Sequence, residues 1–213
     1  MYRYVVAGAL SAVAFSSQAQ GYVGAVAALS SIGVDCAEKA SCDKKGHGAK
    51  IYAGSKFDTA NQFDLGGVGK DVWIEVGVVS FGKAATSELG YYYIVDPVNG
   101  GVLTDPISRQ ISKTATANAL TVAAVAEFPI VNNLEFSLKL GAAYVSSTMR
   151  TYIDGVENGS LTETKLKPYI GLGVSYVVMN SFKIVGAYDH TSFDVDGRKS
   201  HVSNIGLGAE IGF

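Results

Sequence analysis

Ile205-Gly206-Leu207-Gly208-Ala209-Glu210-Ile211-Gly212-Phe213 ends the 213-residue sequence. Apolar residues alternate one by one with glycine or glutamate, and the run finishes on an aromatic. A period of two means a β-strand with two unlike faces. Ile205, Leu207, Ala209, Ile211 and Phe213 share one face. Asn204, Gly206, Gly208, Glu210 and Gly212 share the other.

Working outward from this run, the same parity divides the chain into eight segments. They are Tyr22–Ser30, Ala49–Phe57, Val72–Ser80, Ala117–Phe128, Leu134–Val145, Lys165–Val177, Phe182–Asp189 and Val202–Phe213. Leu134–Val145 alternates most clearly: Leu134, Phe136, Leu138, Leu140 and Tyr144 oppose Glu135, Ser137, Lys139 and Gly141. Several segments reach the roughly ten residues that a tilted strand needs to cross a bilayer. Long gaps fall at Ser31–Gly48, Gly82–Thr116, Ser146–Thr164 and His190–His201, and short ones at Pro129–Asn133 and Val178–Ser181. Long outer loops alternating with short inner turns suit a membrane barrel. Asp58–Asp71 breaks that rhythm, so either the third strand starts earlier, near Phe63, or the turn carries an insertion.

Composition agrees. Glycine reaches 25 residues, tyrosine and phenylalanine together 21, and only 17% of residues are charged. The net charge is −2 and no basic run occurs, which argues against nucleic acid. No metal or cofactor set is expected. Arg3 followed by the apolar Tyr4–Phe15, with Ser17 and Ala19 at a cleavage site, reads as a secretory signal. The expected division is a signal peptide over 1–19 and a barrel over 20–213. In an exported chain, Cys36 and Cys42 are expected to form a short disulfide.

The alternating run up to Phe213 resembles the assembly signal that outer-membrane barrels present to their insertion machinery. Several stretches resemble the OmpA-like small-barrel family: Gly21-Tyr22-Val23-Gly24-Ala25, Asp35-Cys36 through Cys42-Asp43, Lys50-Ile51-Tyr52-Ala53-Gly54, Trp73-Ile74-Glu75-Val76-Gly77 and Lys167-Pro168-Tyr169-Ile170-Gly171-Leu172-Gly173. The resemblance covers the whole mature chain. It implies an all-β fold, an eight-stranded antiparallel up-and-down transmembrane barrel with both termini on the periplasmic side. The competing fold is a soluble periplasmic sandwich or lipocalin-like barrel, with the apolar face turned inward.

An eight-stranded barrel is filled by its own side chains. Lys50, Glu75, Glu127, Lys139, Lys167, Lys183 and Glu210 carry lumen parity and must pair, because isolated buried charges are costly. Glu75 and Lys139 are expected at the centre. Tyr22, Tyr144, Tyr176, Tyr188 and Phe213 are expected as interface anchors. Tyr91, Tyr92 and Tyr93 fall in the long second gap, as a loop patch or a hairpin rim.

The expected function is a non-catalytic outer-membrane protein that supports the envelope and meets surfaces through its outer loops. Its expected partners are outer-membrane lipids, lipopolysaccharide, the insertion machinery during assembly, and host or phage ligands; it is expected to be a monomer. One alternative is a narrow pore. Another is a lipid A-modifying enzyme, because His201-Val202-Ser203-Asn204 resembles a deacylase stretch in which His201 would activate Ser203.

Overall fold

The computed structural model describes residues 20–33, 41–57, 71–92, 107–195 and 198–213. The expected signal segment and Cys36 lie outside them. The strands are β1 (Gly21–Ile32), β2 (Ser41–Asp43), β3 (Lys45–Phe57), β4 (Asp71–Tyr92), β5 (Ile107–Val131), β6 (Leu134–Ile153), β7 (Val156–Met179), β8 (Phe182–Val195) and β9 (Arg198–Gly212).

Eight of these form a closed antiparallel ring. Each of β3 to β9 pairs with its neighbour in sequence, β1 pairs with both β3 and β9, and no edge is left at the level of the ring. The short β2 stands outside the ring, on β4 at Ala85–Ser87. The register gives the barrel's shear. Directly opposite residues run from Leu166 through Tyr144, Leu120, Val78, Ile51, Ala25, Ala209 and Ile184, and return to β7 at Tyr176, ten residues along the strand. For eight strands, standard rise and spacing turn that offset into a tilt of about 40°.

The faces are those of a protein in an apolar solvent. Leu29, Ile51, Val122, Leu140, Ile170, Ile205 and Leu207 all point outward and are exposed. Lys50, Glu75, Lys139, Asp189 and Glu210 point inward and are buried. A soluble barrel would have the opposite arrangement, since an exposed apolar surface this wide is a liability in water.

Several expectations change. Much of the gap at Ser146–Thr164 is strand: β6 and β7 meet in a two-residue turn at Asp154-Gly155, with φ of 50° and 82°. Two successive positive φ values make the type I′ hairpin turn that Asp-Gly favours. Likewise, β4 and β5 remain paired out to Tyr92 and Ile107, inside the gap expected at Gly82–Thr116. About ten residues suffice to cross the apolar band at this tilt. The 25 residues of β5 and 24 of β7 therefore project far beyond it. β8 continues to Val195 and β9 begins at Arg198, so little of the gap at His190–His201 is loop. Among the described residues β4 begins at Asp71; Phe63, where an earlier start was expected, and the turn before β4 lie outside them.

Candidate functional site

Lumen side chains come from alternate positions of every ring strand, and their charges sort into three tiers. The middle tier is centred on Glu75 of β4. Its Oε1 lies 2.9 Å from Lys50 Nζ and its Oε2 2.5 Å from Lys139 Nζ. The Tyr22 hydroxyl donates to the same Oε2 at 3.1 Å. Lys50 also reaches Asp189 at 3.0 Å and donates to the Tyr169 hydroxyl at 2.8 Å, while Tyr169 donates to Asp189. Two cations face two anions, all of them buried, so the tier is neutral as a unit. Pairing of this kind is what desolvated charges require.

The tier toward the termini is built on Lys183, which lies 2.6 Å from Glu135, 3.6 Å from Glu127 and 3.9 Å from Glu210. Ser175 donates to Glu135 at 3.2 Å. Tyr52 donates to Glu210 at 3.2 Å and so links this tier to the middle one. The far tier is at the opposite rim, where Lys167 contacts both oxygens of Asp194 at 2.8 Å and Lys165 approaches at 3.0 Å.

Glu75 and Lys139 thus meet at the centre. Lys183, Glu127 and Glu210 gather below them, and Lys167 is drawn away to the rim. Asp189, Glu135 and Asp194 complete the tiers. Asp189 and Glu135 carry the same inward parity as their strand-mates, which was the signal available in the sequence; Asp194 has the opposite parity to the buried Asp189, Thr191 and Phe193 of β8, and no alternation marks it. The tyrosine hydroxyls of Tyr52 and Tyr169 could be found the same way.

Tyr22 is not an interface anchor. It is 4% exposed, inside the barrel, with its ring edge-on to Trp73 and Tyr52. Inward parity and a carboxylate partner decide its place. Tyr22 pairs with Gly54 across β1 and β3, and Tyr52 pairs with Gly24. A Cβ on Gly54 would collide with the Tyr22 ring, and one on Gly24 with the Tyr52 ring. Each ring thus lies flat over a glycine on the neighbouring strand, which fixes the register of the pair. Tyr144, Tyr176, Tyr188 and Phe213 are exposed on the outer wall, as are Ile205, Leu207 and Ile211. Tyr91 is exposed on the projecting part of β4, and Tyr93 lies outside the described residues.

His201 is on the outer wall with its ring stacked on His190, centroids 5.7 Å apart. Ser203 is paired in the ladder with His190. Neither imidazole is hydrogen-bonded to Ser203, and the nearby Asp189 carboxylate is turned into the lumen. The Ser–His relay of acyl transfer is therefore not assembled. Cys42 is at the centre of β2, opposite Thr86; its expected partner Cys36 lies outside the described residues.

A family model described as OmpA-like transmembrane domain matches residues 16–207. Among solved structures, the attachment invasion locus protein Ail of Yersinia pestis, in complex with the heparin analogue sucrose octasulfate, superposes with a TM-score of 0.52 at 15% identity, over 92% of this chain and 99% of that one. A major outer membrane protein of Thermus thermophilus superposes with a TM-score of 0.51 at 16% identity, over 92% and 100%. No curated protein matches the sequence.

Proposed function

The chain belongs to the OmpA-like transmembrane domain family and resides in the bacterial outer membrane, and from that premise we propose that it is a non-catalytic envelope protein whose projecting hairpins meet surfaces outside the cell. Gly21, Phe213 and the short turns at Asn132-Asn133 and Asn180-Ser181 share one end of the barrel, assigned to the periplasm. The long strands then project outward. One observation carries the reading: β4 to β7 continue as a paired sheet well past the apolar band. Strand length beyond the bilayer contributes nothing to spanning it, so its use lies outside.

The membrane half supplies anchorage, and its packed middle tier disfavours a steady pore. Planar-bilayer recordings are expected to show no stable ion steps; regular steps would favour the channel. Lipid A from cells carrying Ser203→Ala is expected to give the mass spectrum of wild type, and a changed acylation pattern would restore the enzyme reading. The structural relative Ail was solved with a sulfated glycan analogue, which suggests the probe for the main test. A strain lacking the protein would be complemented with the full chain, or with a chain whose β6–β7 hairpin is cut back beyond Thr148 and Thr162. Both are expected to restore detergent resistance, but only the full chain should adhere to a surface bearing sulfated glycan. Equal adhesion by both would remove the surface role from the hairpin.

A further inference from the structure

We propose that the outer wall of β3, β4 and β5 carries a binding notch for the phosphate of an outer-leaflet lipid, formed by Lys45, His47 and Lys83 with Ser80, Thr116 and Asn118. These six residues border an open cavity of about 520 Å³, shared with Gly46 and Gly82. The inference deepens the membrane role above and rests on the orientation given there.

The first argument is position. Along the outer face, β3 changes from Ile51 and Ala49 to His47 and Lys45, β4 from Ile74 and Val78 to Ser80, and β5 from Val122 and Leu120 to Asn118 and Thr116. On three adjacent strands the apolar wall gives way, at matching register, to cations, hydroxyls and an amide. A lipid whose chains lie on Ile51, Val78 and Leu120 would place its headgroup at this level.

The second argument is a device that puts Lys83 there. The β4–β5 ladder slips by one residue between Ser80 and Lys83. Without the slip, Lys83 would share the parity of Val79 and Phe81, which are fully buried in the lumen. With it, Phe81 and Ala84 face inward while Lys83 is exposed on the same wall as Ser80. Bulges redirect side chains in this way. Gly82 makes this one possible: its φ is +74°, and a Cβ there would strike the His47 carbonyl. Gly46 fits as closely, where a Cβ would be 3.0 Å from the Lys83 backbone. The two glycines bring β3 and β4 together and set Lys45, His47 and Lys83 around one opening.

The third argument is charge. Among the described residues, no carboxylate forms an ion pair with Lys45 or Lys83. The adjacent Asp43 accepts a hydrogen bond from the Lys45 backbone at 3.0 Å. Elsewhere in the barrel, every inward lysine discussed above has an acidic partner. Two ammonium groups without a carboxylate partner among the described residues, with hydroxyl and amide donors between them, suit a phosphate monoester or diester.

The test uses the full chain refolded in detergent and first checked for heat-modifiable migration. A chain that does not shift on the gel would count against the barrel itself; a chain that shifts tests the notch. Diphosphoryl lipid A is the probe and phosphatidylcholine the competitor, with retained lipid read by native mass spectrometry. Wild type is expected to retain one lipid A in preference to phosphatidylcholine. Lys45→Gln/Lys83→Gln should weaken retention by about tenfold or more, because it removes two cations beside an anionic headgroup. Lys113→Gln/Lys199→Gln removes the same charge elsewhere and should retain it. Equal retention by the notch variant, or equal loss in the control, would overturn the proposal. Displacement of the lipid by a modest excess of inorganic phosphate would also overturn it, in favour of a free-phosphate site.

Discussion

The membrane-level ring and the projecting sheet share the strands β4 to β7 but follow different rules. In the ring every strand has a partner on both sides, and the middle tier matches its two buried cations, Lys50 and Lys139, to two buried anions, Glu75 and Asp189. Beyond it, among the described residues, β7 has only one neighbour: its pairing with β8 stops at Tyr169, while its pairing with β6 runs on to Val156. Residues 156–162 of β7 are exposed at every position. Hydroxyls replace apolar side chains there, as in the Thr148–Thr162 contact at 3.0 Å across β6 and β7. The difference is one of solvent. Lipid cannot satisfy a free backbone group, so the ring must close; water can, so the projection is free to carry an open edge.

The largest expected effect breaks the ring from inside. Glu75→Ala would leave Lys50 and Lys139 without their shared carboxylate, at a cost of about 3–5 kcal/mol. Urea unfolding in detergent micelles would measure it. Adding Lys139→Met should recover part of the loss, because one uncompensated charge is removed, and failure to recover any would show that the two residues are not coupled. Next comes the tyrosine–glycine packing. Gly54→Ala pushes the Tyr22 ring off β3 and is expected to cost about 1–3 kcal/mol by the same assay, the usual range for overpacking.

Smaller effects belong to the projection. Gly155→Ala puts a side chain at φ 82° and should cost about 1 kcal/mol, the penalty of a left-handed residue. Hydrogen exchange should quicken in the outer halves of β6 and β7, while the ring's unfolding midpoint stays put. Movement of the two together would mean that the projection and ring unfold as one unit. Arg109→Ala is the smallest: its pair with Asp154 spans 3.5 Å with both side chains about half exposed, so a change below about 0.5 kcal/mol is expected.

Parity of two made most of the barrel legible. It separated Ile205, Leu207 and Ile211 from Glu210, and Leu138 and Leu140 from Lys139, before any strand was paired. The projection was harder to read because water bathes both its faces, so Thr148, Thr151, Ser160 and Thr162 show no alternation of hydrophobicity. The Asp154-Gly155 pair, a favoured hairpin turn, was the one signal in it that the reading of Ser146–Thr164 as a gap left unused. Tyr22 misled because a tyrosine near a strand end suits an interface as well as a lumen; its inward parity, shared with Val26 and Ala28, and the Glu75 carboxylate it reaches decide for the lumen.

The sequence by itself determined the strand faces, the membrane solvent and the inward charges, because each depends on a residue's own chemistry and its immediate neighbours. The tertiary structure alone decided the shear of ten, the three-tier partition of the charges and the outward turn of Lys83. Those depend on register between strands far apart in the chain, and a bulge that shifts one ladder by one position exchanges inside for outside.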